Sequence, residues 1–215
     1  MSKIALIAGA SGLVGSYLVR SLIDSPDYAK VVSLGRRGVG WSHPKLAQIT
    51  VDFGAFQALP EDLRVDDAFC TLGTTIKKAG SRDAFRRFDF TAALQLARAC
   101  LARGARTFTV VTAIGADPQS RIFYSRVKGE LEQALRGLRF PSLIVLRPSL
   151  ILGRRTEPRL GETLAEALLL LLRPVLAGPW RKYRPVEATA IASRMVAVAQ
   201  APKPGMQILE SNQIG

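Results

Sequence analysis

Tyr124-Ser125-Arg126-Val127-Lys128 sets a phenol and an ammonium four residues apart, a spacing that brings both to one face of a helix. A nearby ammonium favours the phenolate and draws the tyrosine pKa towards working pH. Such a tyrosine can exchange a proton with a carbonyl or an alcohol, while the lysine can hold sugar hydroxyls. Thr112, 12 residues upstream of Tyr124, adds a hydroxyl at the end of a β-branched run. A surface Tyr–Lys pair and an ordinary strand-end threonine are the plain alternatives to a catalytic trio of Thr112, Tyr124 and Lys128.

Near the start of the chain, an apolar run leads directly into Gly9-Ala10-Ser11-Gly12-Leu13-Val14-Gly15, a GxxGxxG spacing. Glycine there permits a tight turn, a close approach of backbone to pyrophosphate, and close packing of helix on strand. The helix N-terminus that follows offers free N–H groups and a positive dipole end. Gly9, Ser11, Gly12, Leu13, Val14 and Gly15 are therefore the expected phosphate-binding turn of a dinucleotide site. A site built for NAD places Asp or Glu about 20 residues further on, against the ribose 2′-hydroxyl. In this sequence Val31-Val32-Ser33-Leu34 ends instead in Gly35-Arg36-Arg37. Guanidinium groups pair bidentately with phosphate and stack on adenine, so Arg36 and Arg37 predict the 2′-phosphate of NADP(H). Two solvated arginines in a basic chain are the alternative. Asp52 and Phe53 stand where they could flank the adenine, or serve as a loop carboxylate and a core ring; the residues alone favour neither.

Much other chemistry is excluded by composition. Cys70 and Cys100 are the two cysteines and His43 the one histidine, which leaves no disulfide framework, no metal site and no histidine-based triad. Thirty Lys and Arg against 17 Asp and Glu give a net charge of +13. These cations are scattered in pairs, with no run of five and no zinc-finger, basic-zipper or RNP1-like signature, so no specific nucleic-acid partner is expected. The basic surface fits a phosphate-bearing small ligand, and a weak anionic-membrane or protein partner and a homodimer stay open. The run Ile4 to Ala8 is too short for a signal-peptide core, and Leu164 to Leu172 is broken by Glu166 and closed by Arg173 and Pro174. The reading is a soluble, cytoplasmic protein. Leu164 to Trp180, with Arg173, Arg181 and Lys182, is the segment that could lie on an anionic membrane.

The elements that must position these residues alternate along the chain. Strands are predicted at Ile4–Ala8, Val31–Leu34, Ala47–Val51, Ala68–Leu72, Thr107–Thr112, Ser142–Leu146 and Met206–Glu210. Helices are predicted at Leu13–Ile23, Asp83–Arg103, Ile122–Leu138 and Ala188–Gln200, with a helix-like stretch at Glu162–Leu172. Strands that are apolar throughout and separated by helices mark a parallel sheet covered on both faces. The fold class is α/β, a doubly wound parallel sheet of Rossmann type. At 215 residues and 48% hydrophobic, the chain makes one domain, 1–215, with 153–187 as a small C-terminal cap over the substrate side. Arg154–Gly161 reads as a loop and Pro174–Pro185 as irregular.

Gly9/Gly12/Gly15, Tyr124-x-x-x-Lys128 and an upstream hydroxyl together resemble the short-chain dehydrogenase/reductase superfamily, in its atypical branch with GxxGxxG spacing. Further stretches are similar to the Tat-interacting oxidoreductase-like group: Cys70-Thr71-Leu72-Gly73-Thr74-Thr75, Gly115-Ala116-Asp117, Val127-Lys128-Gly129-Glu130, Leu146-Arg147-Pro148 and Ile208-Leu209-Glu210. This resemblance covers essentially the whole chain. It implies an NADP(H)-dependent oxidoreductase acting on a small carbonyl or alcohol, with Tyr124 moving the proton and Thr112 orienting the substrate oxygen. Lys128 would tune Tyr124 and hold the ribose. Thr71, Leu72, Gly73 and Thr74, and Pro148, Ser149 and Leu150, would line the cofactor. The chain departs from the family pattern in having Thr112-Ala113 where serines are usual and Ser149 where glycine is usual. Little more than sixty residues follow the sixth strand, which suits a small substrate better than a sugar nucleotide. The other class of function the same resemblance allows is a non-catalytic NADP(H)-binding sensor or scaffold that regulates a partner protein.

Overall fold

Four consecutive apolar residues, Ala5 to Ala8, make the centre of the molecule: they are wholly buried in strand β1 (Lys3–Ala8). The computed structural model describes residues 2–56, 58–153 and 178–215. Strand β1 lies between β2 (Tyr28–Gly35) and β4 (Asp67–Cys70), with β3 (Leu46–Thr50) outside β2. On the other side follow β5 (Thr107–Val111), β6 (Ser142–Arg147) and β9 (Gly205–Glu210). The order is β3-β2-β1-β4-β5-β6-β9, and every neighbouring pair is parallel.

Both faces are covered, as strands without a polar face require. Helix α1 (Leu13–Asp24) packs on one face beside α6 (Ala188–Gln200). Its stripe Val14, Leu18, Val19, Leu22 and Ile23 joins Val31, Ile144, Ile191 and Met195 in one core cluster. Leu18 and Leu22 are fully buried there, each contributing about 1.5–3 kcal/mol. On the opposite face α4 (Ala93–Ala102) and α5 (Phe123–Gly137) bury Leu96, Leu131 and Leu135 against Leu6, Val32 and Phe108.

At the N-terminal edge of the sheet, buried Asp67 accepts hydrogen bonds from the Tyr28 hydroxyl at 2.8 Å and Lys3 at 3.0 Å. Burial, and then the Asp67 charge, push the Tyr28 phenol far above its ordinary range, which makes it a structural hydroxyl. At the C-terminal edge the chain runs outward from β1 through β2 to β3 and then returns to β4 on β1's other side. Strand order reverses between β1 and β4, and the crevice outside that point is where open α/β sheets bind ligands.

The predicted helix Asp83–Arg103 differs in form. It begins as α3 (Arg82–Arg86), capped by Ser81 Oγ on Ala84 N, and passes through a π-helical turn, Arg87–Ala92, into α4. The wider turn rotates the following stripe and brings Asp89 inside. A short helix α2 (Ile76–Ala79) precedes it, and α7 (Ser211–Ile214) follows β9. Strand β7 (Ile151–Leu152) pairs in parallel with β8 (Val186–Glu187), a small sheet that no periodicity announces. Gly178–Tyr183, expected as irregular, is a 3₁₀ helix. The predicted loop and helix at 154–172, and most of the predicted cap 153–187, lie outside the described residues. Among the described residues no helix is long and apolar enough to cross a membrane.

Candidate active site

The glycine turn is required by its surroundings. Gly9 has φ +94°, and a Cβ there would sit 2.6 Å from Thr71 Oγ1 and 2.9 Å from the Thr71 carbonyl. A Cβ on Gly15 would meet the Gly9 carbonyl oxygen at 2.0 Å. Gly12 donates to Gly9 O at 2.9 Å and caps α1 without any side-chain hydrogen bond. The first turn of α1 carries no acidic residue, so its N–H groups face the crevice unopposed, a cradle that fits a pyrophosphate. Thr71, immediately after β4, ties itself to the end of β1 through Thr71 N and Oγ1 to Ala8 O, at 2.9 and 3.0 Å. The two strands at the switch point are thus locked together beside the turn. Ser11 is exposed and Leu13 half-buried, and Leu13 packs within reach of Gly153.

Arg36 and Arg37 are exposed at the end of β2, with no carboxylate in that position. Arg36 lies over the Phe88 ring, 5.8 Å from its centroid. Of the two residues left open after β3, Phe53 is a core ring: it is buried and packs on Phe56 and Phe88 with centroids at 6.3 and 6.2 Å. Asp52 is exposed and accepts from Gly54 N at 2.9 Å, closing its own turn.

Tyr124 and Lys128 sit one turn apart on α5. The Tyr124 ring is half-buried and leans on Phe85, with centroids 5.5 Å apart. Lys128 is buried, and its Nζ lies 2.7 Å from Asp89 Oδ1. Asp89 Oδ2 accepts from Thr74 N at 3.0 Å. Burial alone would lower the lysine pKa; the Asp89 charge foremost holds it above its ordinary value. Gly73 is exposed beside this pair, whereas Leu72 turns into the core. The middle of α5 meets the preceding loop closely: a Cβ on Gly129 would stand 2.2 Å from Asp117 C and Pro118 N.

Thr112 takes a different place. It is buried, and its hydroxyl donates to Glu132 Oε1 at 2.7 Å. Glu132, also buried, accepts from Arg147 Nε at 3.0 and 3.2 Å and forms a second, short contact with Arg147 Nη2. That carboxylate, foremost through its hydrogen bonds, holds Arg147 above its ordinary pKa. A hydroxyl has one proton to donate, so Thr112 as held here meets a substrate oxygen only as an acceptor. The structure therefore gathers Tyr124, Lys128 and Asp89, and places Thr112 in a second network with Glu132 and Arg147.

Pro148, Ser149 and Leu150 are pinned from three sides. Pro148 O accepts from Ile114 N, Ser149 N donates to Ser211 Oγ, and Leu150 O accepts from Val186 N, at 2.9, 2.8 and 2.9 Å. The Ser149 hydroxyl donates to Arg184 O, so it holds the C-terminal segment. Cys70 and Cys100 are free and buried, and burial raises the Cys70 thiol to about 11.

Asp89, Glu132, Arg147 and Gly129 were not among the expected site residues. For Glu132 a signal existed: it lies one turn beyond Lys128 and two beyond Tyr124, on the same face of α5. Asp89 showed itself only as a carboxylate inside an apolar stripe, between Phe85 and Leu94.

The sequence matches the NAD dependent epimerase/dehydratase family over residues 5–170. It is 32% identical to protein HTATIP2 of Rattus norvegicus, covering 99% of this chain and 88% of that protein. It is 31% identical to protein FMP52, mitochondrial, of Coccidioides immitis, covering 94% and 89%. Among solved structures, MoeE5 in complex with UDP-glucose and NAD superposes with TM-score 0.71 at 16% identity, over 98% of this chain and 79% of that one. A short chain dehydrogenase family protein from Francisella tularensis gives 0.66 at 12%, over 99% of each. At such identities the likeness is one of fold. The relatives named as mitochondrial, from Coccidioides immitis, Scheffersomyces stipitis and Saccharomyces cerevisiae, overturn the cytoplasmic reading. That reading rested on the shortness of the Ile4–Ala8 run and the broken Leu164–Leu172 run, whereas compartment is also set by receptor-read addresses that need no long apolar run. A match of this extent, on a parallel sheet whose glycine turn and Tyr–Lys helix meet at one edge, means that the chain belongs to the NAD dependent epimerase/dehydratase family, the short-chain dehydrogenase/reductase-like proteins.

Proposed function

We propose that this protein is an NADP(H)-dependent oxidoreductase acting on a small carbonyl or alcohol. The observation that carries the reading is Tyr124 half-buried beside a buried, charge-paired Lys128 on the helix after β5, next to the crevice that the glycine turn borders. When bound, the nicotinamide supplies or accepts the hydride. The chain's residues do the rest. The α1 N-terminus and the Gly9–Gly15 backbone bind the pyrophosphate. Arg36 and Arg37 supply cations where NAD-selective sites carry a carboxylate, which supports a 2′-phosphate. During reduction Tyr124 Oη gives its proton to the oxygen of the carbonyl whose carbon has received hydride, and the Lys128 ammonium stabilises the phenolate left behind. Oxidation of the alcohol runs the same transfers in reverse.

A second reading, an NADP(H)-binding sensor or scaffold without turnover, draws on one observation: Thr112 has its proton on Glu132 and not on a substrate. The two separate in one experiment. NADPH and NADH are titrated by fluorescence against wild type, Arg36→Ala/Arg37→Ala and Tyr124→Phe, followed by a carbonyl screen. Binding of NADPH over NADH that is lost in the double variant supports the nucleotide site, and turnover abolished in Tyr124→Phe supports the enzyme. Equal binding of both nucleotides ends the NADP assignment. Tight binding with no turnover on any carbonyl leaves the sensor.

A further inference from the structure

The loop from β2 to β3 carries Arg36 and Arg37, and one neutral side chain grips it from below. Gln48 stands on β3, beside Ser33 of β2 in the parallel register. Its Oε1 accepts from Val39 N at 2.7 Å and its Nε2 donates to Trp41 O at 3.0 Å. Both ends of the amide are thus engaged with the backbone just beyond Arg37. Gly38 makes the room: a Cβ there would stand 2.9 Å from Gln48 Oε1. Before the arginines the chain folds back at Gly35, where a Cβ would stand 2.9 Å from Arg37 O, and Gly35 O accepts from Val51 N at 3.0 Å. Val39 and Trp41 also pack against the core on the α1 side, and Arg20 of α1 lies over the Trp41 ring, 5.2 Å from its centroid. The backbone is therefore fastened on either side of Arg36 and Arg37, while both side chains are exposed.

We propose that Gln48 is a positioning residue for nucleotide choice: by holding Val39 N and Trp41 O it fixes in advance the loop from which Arg36 and Arg37 reach a 2′-phosphate. The proposal rests on the reading of those two arginines as the 2′-phosphate site. Its physical content is conformational entropy. A loop that must be ordered when the ligand arrives loses part of the interaction free energy to that ordering, and a loop ordered beforehand does not. NADPH carries the phosphate that the loop would contact and NADH does not. The clamp therefore acts on the ratio of the two affinities and little on NADH. Gln48 is uncharged and has both amide groups on the loop backbone, so it acts through Arg36 and Arg37 and not as a ligand of the nucleotide.

The test compares wild type with Gln48→Met, which keeps the reach of the side chain and removes both hydrogen bonds, and with Gly38→Ala. Gly38 lies outside the left-handed region, so its backbone accepts alanine, and the new Cβ displaces the far end of the flexible Gln48 side chain. NADPH and NADH are titrated by fluorescence against each protein, and exchange of the Val39 amide hydrogen is followed by NMR without nucleotide. In both variants NADPH is expected to bind about fivefold more weakly, with NADH within about twofold. The Val39 amide is expected to exchange about tenfold faster. The double variant should bind NADPH no more weakly than either single one, because both changes break one contact. In the Arg36→Ala/Arg37→Ala background, Gln48→Met should change neither affinity. A wild-type preference for NADPH that survives in Gln48→Met overturns the proposal and leaves the NADP reading standing. Equal weakening of both nucleotides in Gln48→Met overturns it as well, since Gln48 then supports a part the two nucleotides share. Equal affinity of wild type for NADPH and NADH ends the NADP reading and the proposal with it, a failure seen before any variant is measured.

Discussion

The Thr112 hydroxyl donates to Glu132 Oε1 across 2.7 Å, joining the residue that follows β5 to the middle of α5. Arg147, at the end of β6, closes the same carboxylate from the other side. Three elements that carry the site are thereby bolted together beneath it. Glu132→Ala leaves an arginine without its anion and a threonine without its acceptor. Stability is expected to fall by about 3 kcal/mol, read as the midpoint shift in urea unfolding. Thr112→Val, which loses one hydrogen bond to a buried charge, should cost about 2 kcal/mol and leave NADPH affinity unchanged. Loss of nucleotide binding in a folded Thr112→Val would place this hydroxyl at the ligand after all.

Gly15 tests the turn. A Cβ placed 2.0 Å from the Gly9 carbonyl oxygen forces α1 away from the end of β1. Gly15→Ala should lower stability by about 1–3 kcal/mol through overpacking. Nucleotide affinity should fall by more than about tenfold, because the helix N-terminus no longer points at the phosphates. Thermal melting with and without NADPH checks both effects, since a bound nucleotide raises the melting temperature only where the cradle survives.

Arg36 separates phosphate recognition from general basicity. Its guanidinium already rests over Phe88, 5.8 Å from the ring centroid, and is held at one side of the crevice. Arg36→Ala is expected to weaken NADPH by about tenfold, or about 1.4 kcal/mol, and to leave NADH within about twofold. Raising the ionic strength should narrow the same difference in wild type, because an exposed pair is screened. A variant that weakens both nucleotides alike would show that Arg36 acts on a part they share.

The buried thiols set a pH limit on stability. Cys70 is raised to about 11 by burial and Cys100 moves in the same direction, so both stay protonated in the fold while the unfolded chain ionises them near 8.5. Between those values the native state binds more protons than the unfolded state, and stability falls as pH rises. The loss approaches about 1.4 kcal/mol per pH unit for each thiol and is absent below about pH 8. Urea unfolding at pH 8, 9 and 10 should show the decline, reduced in Cys70→Ala. At pH 8 both thiols should react with a thiol reagent only after unfolding.

The sequence by itself determined what depends on neighbours along the chain. Ile4–Ala8, Val31–Leu34, Thr107–Thr112 and Ser142–Leu146 read as buried parallel strands because they are apolar or β-branched without alternation, and a strand buried on both faces has no polar side to show. Gly9, Gly12 and Gly15 announced a turn against a helix N-terminus, and Tyr124 and Lys128 a shared helix face, since both are matters of short spacing. Tertiary structure decided the rest. Whether Thr112 served substrate or scaffold depended on Glu132 and Arg147, which reach it from another helix and another strand. Phe53 became a core ring because Phe56 and Phe88 surround it, a choice no spacing around Phe53 contains. Asp89 came inside through a π-helical turn, and its meeting with Lys128 joins two helices whose residues are far apart in the chain. Periodicity is a local property and speaks for elements; the partner of a buried charge is settled only when separate elements pack, because desolvation then leaves that charge no other company.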